Sequence, residues 1–338
     1  MLFTNSSSIG VGFGTAALGP TGYNVVTMAL QEGFRRFDTA EADYWYDQKQ
    51  VGLALRDFFA ADSDGSCLAD NNGNDNGVCN NGGGGENMCM LQDLRVSTKI
   101  PPWSLTDPAS IRESAAQSRT ELVGFCDDII LEDGAVARFP LDVYYIHAPA
   151  CWKGWHPRCD DHPPLLALRD SWVAMEAVVG LDHSAKRIGL SNIRPDELLD
   201  IISFVQTRRD AGQEVPHPRL PDAIQAFADP IEPAYELRRI CAEHGIEFVS
   251  YSTLGTQHRN TAHNPVLTSP IVWDLAIKHN RSTAEVVLSW ALQKEMSVIP
   301  RSSKLNHIQE LARLLHEDPN FLDDQDLTQI DSMKDAAR

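Results

Sequence analysis

The strongest constraint on this chain is its rhythm. Short apolar runs with β character alternate with helical stretches about eight times along 338 residues. Ile9–Phe13, Arg36–Asp38, Leu94–Ile100, Asp142–His147, Arg187–Ser191, Ala223–Phe227, Glu247–Tyr251 and Ser297–Pro300 read as strands. Helices are expected at Tyr23–Glu32, Asp47–Phe59, Ala109–Val123, Leu165–Val179, from Pro195, Pro233–His244, Val272–His279, Thr283–Gln293, Lys304–Leu315 and Asp324–Met333. Pro195 stands at a first helical position, where its missing N–H costs nothing. Strands that alternate with helices predict a parallel sheet. Eight such units predict one α/β domain over 1–338, a closed (β/α)8 TIM barrel.

The alternative is an open, doubly wound sheet. It would call for a glycine-rich dinucleotide fingerprint between the first strand and its helix. Gly10, Gly12, Gly14 and Gly19 are present, but they fall within and just past the strand. Ala16-Ala17-Leu18-Gly19-Pro20 is a poor helix opening. These glycines read as a tight strand and turn. Residues 61–90 break the rhythm: they are rich in Asn, Asp and Gly, run through Gly82–Gly85, and hold Cys67, Cys79 and Cys89. Such a composition buries little apolar surface and is expected to form a flexible surface insertion. Its cysteines are spaced unlike the close pairs of zinc sites.

Composition narrows the partners. A formal net charge of −18 opposes nucleic acid or an anionic membrane as the main partner. No apolar run approaches the roughly 20 residues that span a bilayer. The start of the chain shows neither a basic region nor an apolar one of the kind export signals need. Seven cysteines without a dense framework suggest a reduced compartment. The expectation is a cytoplasmic protein, taken as a monomer, with Cys151 and Cys159 able to pair if oxidised but expected as free thiols.

The barrel reading gives the polar residues a place to meet. Side chains at the C-terminal ends of barrel strands converge on one mouth. Asp38, Lys99, His147, Ser191, Asn192, Gln225 and Tyr251 all stand at or near strand ends, and Tyr44 and Tyr46 follow Asp38 in a short loop. Any one of them reads equally well as a structural polar residue or a helix cap. Their recurrence at successive strand ends points to a shared pocket. Arg301, Ser302 and Ser303 open a helix just after the last strand, pairing a cation with helix N-terminal amides, which suits an anion. No closely spaced His/Asp set suggests a metal.

Eight blocks, in this order, resemble the aldo-keto reductase superfamily: GFGTAALG, FDTAEA, VSTK, DVYYIH, RIGLSN, AIQ, FVSYSTLG and VIPRSS. The likeness covers nearly the whole chain outside 61–90. It implies NADP(H) bound on a barrel, a small-molecule carbonyl substrate and a catalytic tetrad of Asp38, a following tyrosine, Lys99 and His147. It also implies that Ser191, Asn192 and Gln225 hold the nicotinamide carboxamide, and that Tyr251 stacks on the ring. Ser252 and Leu254 would lie by the pyrophosphate, Arg301, Ser302, Ser303 and His307 by the 2′-phosphate, and Glu310 by adenine. His307 falls where the family often has an arginine.

Carbonyl reduction needs a hydride on carbon and a proton on oxygen. A phenol near pKa about 10 is a slow donor at neutral pH. An adjacent ammonium such as Lys99 would lower that value, Asp38 would hold the ammonium, and His147 would orient the carbonyl oxygen.

The tyrosine loop departs from the family. The usual tyrosine position is Asp43, and the next helix is displaced by two residues. Tyr44 and Tyr46 are both candidates, with Tyr46 preferred for its place beside the helix start. Trp45, Trp103, Trp152 and Trp155 are expected to line the substrate pocket. The disturbed loop also motivates a second reading, an NADP(H)-binding regulatory or scaffolding protein with weak turnover.

Overall fold

A computed structural model describes residues 9–60, 93–126, 129–130, 136–162, 164–213, 215–258 and 263–336. The 61–90 insertion and its three cysteines lie outside the described residues.

Eight strands form one parallel sheet in chain order: β1 (Phe13–Gly14), β2 (Arg36–Asp38), β3 (Arg95–Ile100), β6 (Leu141–Ile146), β7 (Ala185–Ser191), β8 (Ala223–Phe227), β9 (Glu247–Tyr251) and β10 (Ser297–Val298). The sheet closes on itself beside its first strand. Val11 bridges Val298 in parallel, and Gly12 N and Gly14 N donate to the carbonyls of Val298 and Pro300 at 2.8 and 2.9 Å. Closure removes the free edges that an open sheet would expose. The glycines at this first strand therefore serve the seam. A Cβ on Gly14 would stand 2.9 Å from the Ile299 carbonyl oxygen.

Helices follow the strands and, apart from the loop helix α4, pack around the sheet. They are α1 (Gly22–Gln31), α2 (Gln48–Ala60), α3 (Pro108–Val123), α4 (Pro157–Asp160), α5 (Leu168–Gly180), α6 (Pro195–Asp210), α7 (Tyr235–His244), α8 (Pro270–His279), α9 (Thr283–Gln293), α10 (Leu305–His316), α11 (Asp324–Asp331) and α12 (Met333–Ala336). Their starts follow from sequence. Asp107 accepts from Ala109 N and Ser110 N ahead of Pro108 in α3, and Ser282 with Glu285 makes a reciprocal capping box on α9. Gly52 lets α2 meet α3, because a Cβ there would lie 2.2 Å from the Glu121 carbonyl oxygen.

Strand β6 shows why a barrel strand reads as an unbroken apolar run. All six of its residues are buried, alternately against the helices and inside the barrel. The core joins Phe13, Phe34, Phe37, Leu55, Ile100, Tyr144, Trp172, Ile188, Ile224 and Trp290 into one cluster.

The boundaries expected from sequence hold to within a few residues, apart from additions that the apolar rhythm does not announce. A short antiparallel hairpin, β4 (Ile129–Ile130) with β5 (Val136–Ala137), precedes β6. The one-turn helix α4 sits inside the loop after β6, where no helix is expected from sequence.

Candidate active site

Strand ends, not sequence proximity, assemble the site. Asp38 ends β2, Lys99 is the penultimate residue of β3, His147 follows β6, Ser191 ends β7, Gln225 is the middle residue of β8 and Tyr251 ends β9. At their common mouth is a cavity of about 650 Å³.

Its base is a buried ion pair. Lys99 Nζ donates to Asp38 Oδ1 at 2.5 Å and to the Thr39 carbonyl at 2.8 Å. The other Asp38 oxygen accepts from Gln225 Nε2 at 2.8 Å. Lys99 is fully buried and does not itself line the cavity. Burial works against its ammonium and lowers its pKa, while the Asp38 carboxylate opposes the shift. A carboxylate with both oxygens engaged is well suited to keep that ammonium charged.

Tyr46 stands above this pair. Lys99 Nζ is 5.4 Å from the centre of its ring, and the His147 ring is 5.9 Å away in an edge-on arrangement. Tyr44 also lines the cavity, but at its aromatic side: it is 65% exposed, and its ring lies 5.3 Å from His156. Of the two phenols left open by sequence, the fold brings Tyr46 to Lys99 and His147. Its pKa, however, is raised, by burial foremost and then by Asp38 and Tyr251, with Arg301 opposing. The lowering expected from Lys99 is not what is found: burial dominates, and the Lys99 ammonium is engaged by Asp38. The phenol stays protonated.

His147 is neutral at working pH. Burial, followed by the charge of Lys99, draws its pKa down to about 3. Its Nδ1 is buried without a partner among the described residues. The nitrogen left to serve the cavity is Nε2.

The loop carrying Tyr46 is held by backbone and by one acid. Thr39 N and Glu41 N donate to the carbonyls of Ser97 and Lys99, and Tyr46 N donates to that of Ala42. The Glu41 carboxylate accepts from Ser114, Ser118 and Tyr144 at 2.6, 2.8 and 2.7 Å. Burial raises its pKa despite these bonds. Glu41 falls within the FDTAEA block, but its three donors from α3 and β6 meet it only after folding.

The cavity wall divides in two. On one side Ser191, Asn192, Gln225, Tyr251, Ser252, Leu254 and Arg301 line it. Tyr251 donates to Asn192 Oδ1 at 2.6 Å, and Asn192 Nδ2 donates to the His147 carbonyl at 2.8 Å. Asn192 and Ser252 both have left-handed backbones, with φ of 55° and 53°. Strain of that kind, on non-glycine residues at strand ends, is characteristic of functional loops. Ser302, Ser303, His307 and Glu310 do not line the cavity. They lie before and within the first turns of α10, next to Arg301 in sequence.

The other side is aromatic. Trp45, Trp103, Trp152 and Trp155 all line it, together with His156. Trp155 touches His147, Trp103 and Trp152 with ring centres 5.6, 5.7 and 4.5 Å apart. Cys151 and Cys159 are disulfide-bonded, with Cα atoms 5.2 Å apart, which corrects the expectation of free thiols. The turn of α4 brings Cys159 back over an eight-residue separation, a juxtaposition that composition could not reveal. Sequence reading also missed His156, whose only signal is its position one residue after Trp155.

The residues facing the cavity suit a nicotinamide nucleotide. An aromatic face at Tyr251, amide and hydroxyl groups at Asn192 and Ser191, and a guanidinium at Arg301 match a flat heteroaromatic ring, a carboxamide and a phosphate. A family model described as "Aldo/keto reductase family" matches residues 10–335. The chain belongs to that family. It is 26% identical to aldose reductase B of Dictyostelium discoideum, over 97% of this chain and 89% of that protein. It is 24% identical to 9,11-endoperoxide prostaglandin H2 reductase of Trypanosoma cruzi, over 98% and 88% of the two chains. It is 26% identical to the NAD(P)H-dependent pentose reductase of Pyricularia oryzae, over 75% and 76%. As an aldo/keto reductase the chain is an oxidoreductase of the carbonyl-reducing class that works with a nicotinamide cofactor. No helix among the described residues is long and apolar enough to cross a membrane.

Proposed function

We propose that this protein reduces the carbonyl of a small aldehyde or ketone to an alcohol with NADPH, and that Tyr46 delivers the proton. The observation that carries the reading is the placement of Lys99, Asp38, Tyr46 and His147 together at the base of one cavity. The bound dinucleotide supplies the hydride. Every other step belongs to side chains.

His147, neutral and with Nε2 left to the cavity, donates to the carbonyl oxygen and orients it. Tyr46 is protonated at rest and gives its proton to the same oxygen as negative charge develops there. The phenolate so formed lies beside a buried ammonium, and that attraction grows as the proton leaves. Lys99 thus acts on the transition state more than on the resting phenol. Asp38, held by Gln225, fixes the ammonium in place.

Tyr251, Ser191 and Asn192 orient the nicotinamide end, with Gln225 beside them. Ser252 and Leu254 flank the pyrophosphate. Arg301 takes the 2′-phosphate, supported by Ser302, Ser303 and His307, and Glu310 lies by adenine. This reading rests on the line from the cavity through Arg301 to the start of α10. The chain acts as one domain, on a small-molecule substrate, as a monomer.

The test is NADPH oxidation with a nitrobenzaldehyde. Purified protein turns over, and Tyr46→Phe does not while still binding NADPH. Cofactor binding without turnover over a broad carbonyl panel sinks the proposal.

A further inference from the structure

The cavity contains a hydrogen-bond donor that the proton-transfer chemistry does not use. His156 lines the aromatic side, half-buried. Its ring stacks on Trp103 with centres 4.6 Å apart and planes 25° apart, and the edge of Tyr44 lies 5.3 Å from it. Its Nδ1 accepts from Arg158 N at 3.2 Å. An imidazole nitrogen that accepts an N–H carries no hydrogen, so the neutral ring bears its proton on Nε2.

The backbone beneath this ring is fixed as well. His156 caps α4, and its carbonyl accepts from Cys159 N at 2.8 Å. The Cys151–Cys159 disulfide ties that turn back to the loop. The Arg158 side chain pairs with Asp43 at 3.0 Å and lies 6.0 Å over the Trp103 ring. Ring, tautomer and backbone are each held, which is the preorganisation a specificity contact requires.

The position follows from the chain of rings. His147 meets Trp155, Trp155 meets Trp103, and Trp103 meets His156. His156 therefore stands at the far end of an aromatic wall whose near end is the proton-delivery centre. We propose that His156 is a specificity-determining residue: its Nε2–H binds an oxygen acceptor on the end of the substrate remote from the reacting carbonyl. The favoured substrates are then flat, ring-bearing carbonyl compounds with a distal carboxylate or hydroxyl. Lys153, which lines the same stretch, favours the carboxylate. This inference rests on the carbonyl-reduction reading and deepens it.

The experiment compares 4-carboxybenzaldehyde, 4-hydroxybenzaldehyde and benzaldehyde as substrates. In His156→Phe, which keeps a stacking ring and removes the donor, the preference in kcat/KM for the carboxylated over the plain aldehyde falls about tenfold, the scale of one hydrogen bond to a charged group. The fall is carried by KM. His156→Gln, which retains an N–H donor, recovers part of it. An unchanged preference in His156→Phe overturns the proposal, and so does an equal loss in both variants, which would assign the effect to packing. A larger effect on the hydroxylated than on the carboxylated compound overturns the part assigned to Lys153.

Binding of 4-(hydroxymethyl)benzoate against benzyl alcohol, by calorimetry on the same proteins with NADP present, separates the two readings. Discrimination that disappears in His156→Phe sustains the recognition role even if no aldehyde is turned over. Turnover without discrimination leaves carbonyl reduction standing and removes His156.

Discussion

Lys99 Nζ lies 2.5 Å from Asp38 Oδ1, and Gln225 Nε2 holds the second oxygen of the same carboxylate at 2.8 Å. Residues from three strands thus lock one ammonium under the cavity. Removing one member of a buried pair leaves the other charge uncompensated, at a cost of about 3–5 kcal/mol. Asp38→Asn is expected to destabilise the fold on that scale and to abolish reduction. Lys99→Met combined with Asp38→Leu should recover much of the stability and none of the activity. Denaturant unfolding of the single and double variants checks this; additive losses would show that the two side chains act independently.

Tyr44 and Tyr46 are two residues apart but have different surroundings. Tyr46→Phe removes the phenol beside Lys99 and should lower kcat by about 10²–10⁴-fold, the usual range for a general acid. Tyr44→Phe, exposed and turned toward His156, should keep activity within about threefold. Steady-state kinetics on both variants decides, and the reverse pattern would assign the proton to Tyr44.

His147 makes stability pH-dependent. Its pKa is about 3 in the folded chain and about 6.5 when unfolded. Between those values the unfolded state binds the extra proton. The contribution is therefore fully present above pH about 6.5 and is lost as pH falls toward 3, by at most about 1.4 kcal/mol per pH unit. Melting curves from pH 7 to 5 should fall less steeply in His147→Asn than in the wild type. Equal slopes would show that His147 can be protonated without unfolding.

The Cys151–Cys159 disulfide closes a short loop that carries Trp152, Trp155 and His156. By chain entropy such a loop contributes about 2–3 kcal/mol. Reduction with a dithiol, or Cys151→Ser with Cys159→Ser, should raise KM for ring-bearing substrates several-fold and lower the melting temperature. The buried Cys241 thiol, pushed up to about 12 by burial, should stay unreactive to alkylating agents in the folded protein. Peptide mapping after alkylation checks both; labelling of Cys241 ahead of Cys151 would contradict this arrangement.

Arg301 is proposed to read the 2′-phosphate. Arg301→Ala should weaken NADPH binding by about tenfold or more, on the scale of a charge-assisted contact, and leave NADH nearly unaffected. Fluorescence titration of the two nucleotides measures it. Equal losses would remove Arg301 from that role.

The strand ends were readable because a barrel strand is short, apolar and bounded. Asp38, Lys99 and His147 stand out as polar residues where apolar runs stop. Their common cavity was an inference from alternation alone. Glu41, His156 and the disulfide were not readable in this way. Each depends on partners that only folding brings near: Tyr144 on β6 for Glu41, Trp103 for His156, and the turn of α4 for the cysteines.

The sequence by itself determined the eight-fold strand and helix order, and with it which residues could reach one mouth. Hydrophobic period and helix-start residues act locally, so they can be read locally. Only the tertiary structure decided which phenol stands by Lys99, which way the Tyr46 pKa moves and which cysteines meet. Those outcomes depend on burial and on distances across the barrel, and neither exists until the sheet has closed.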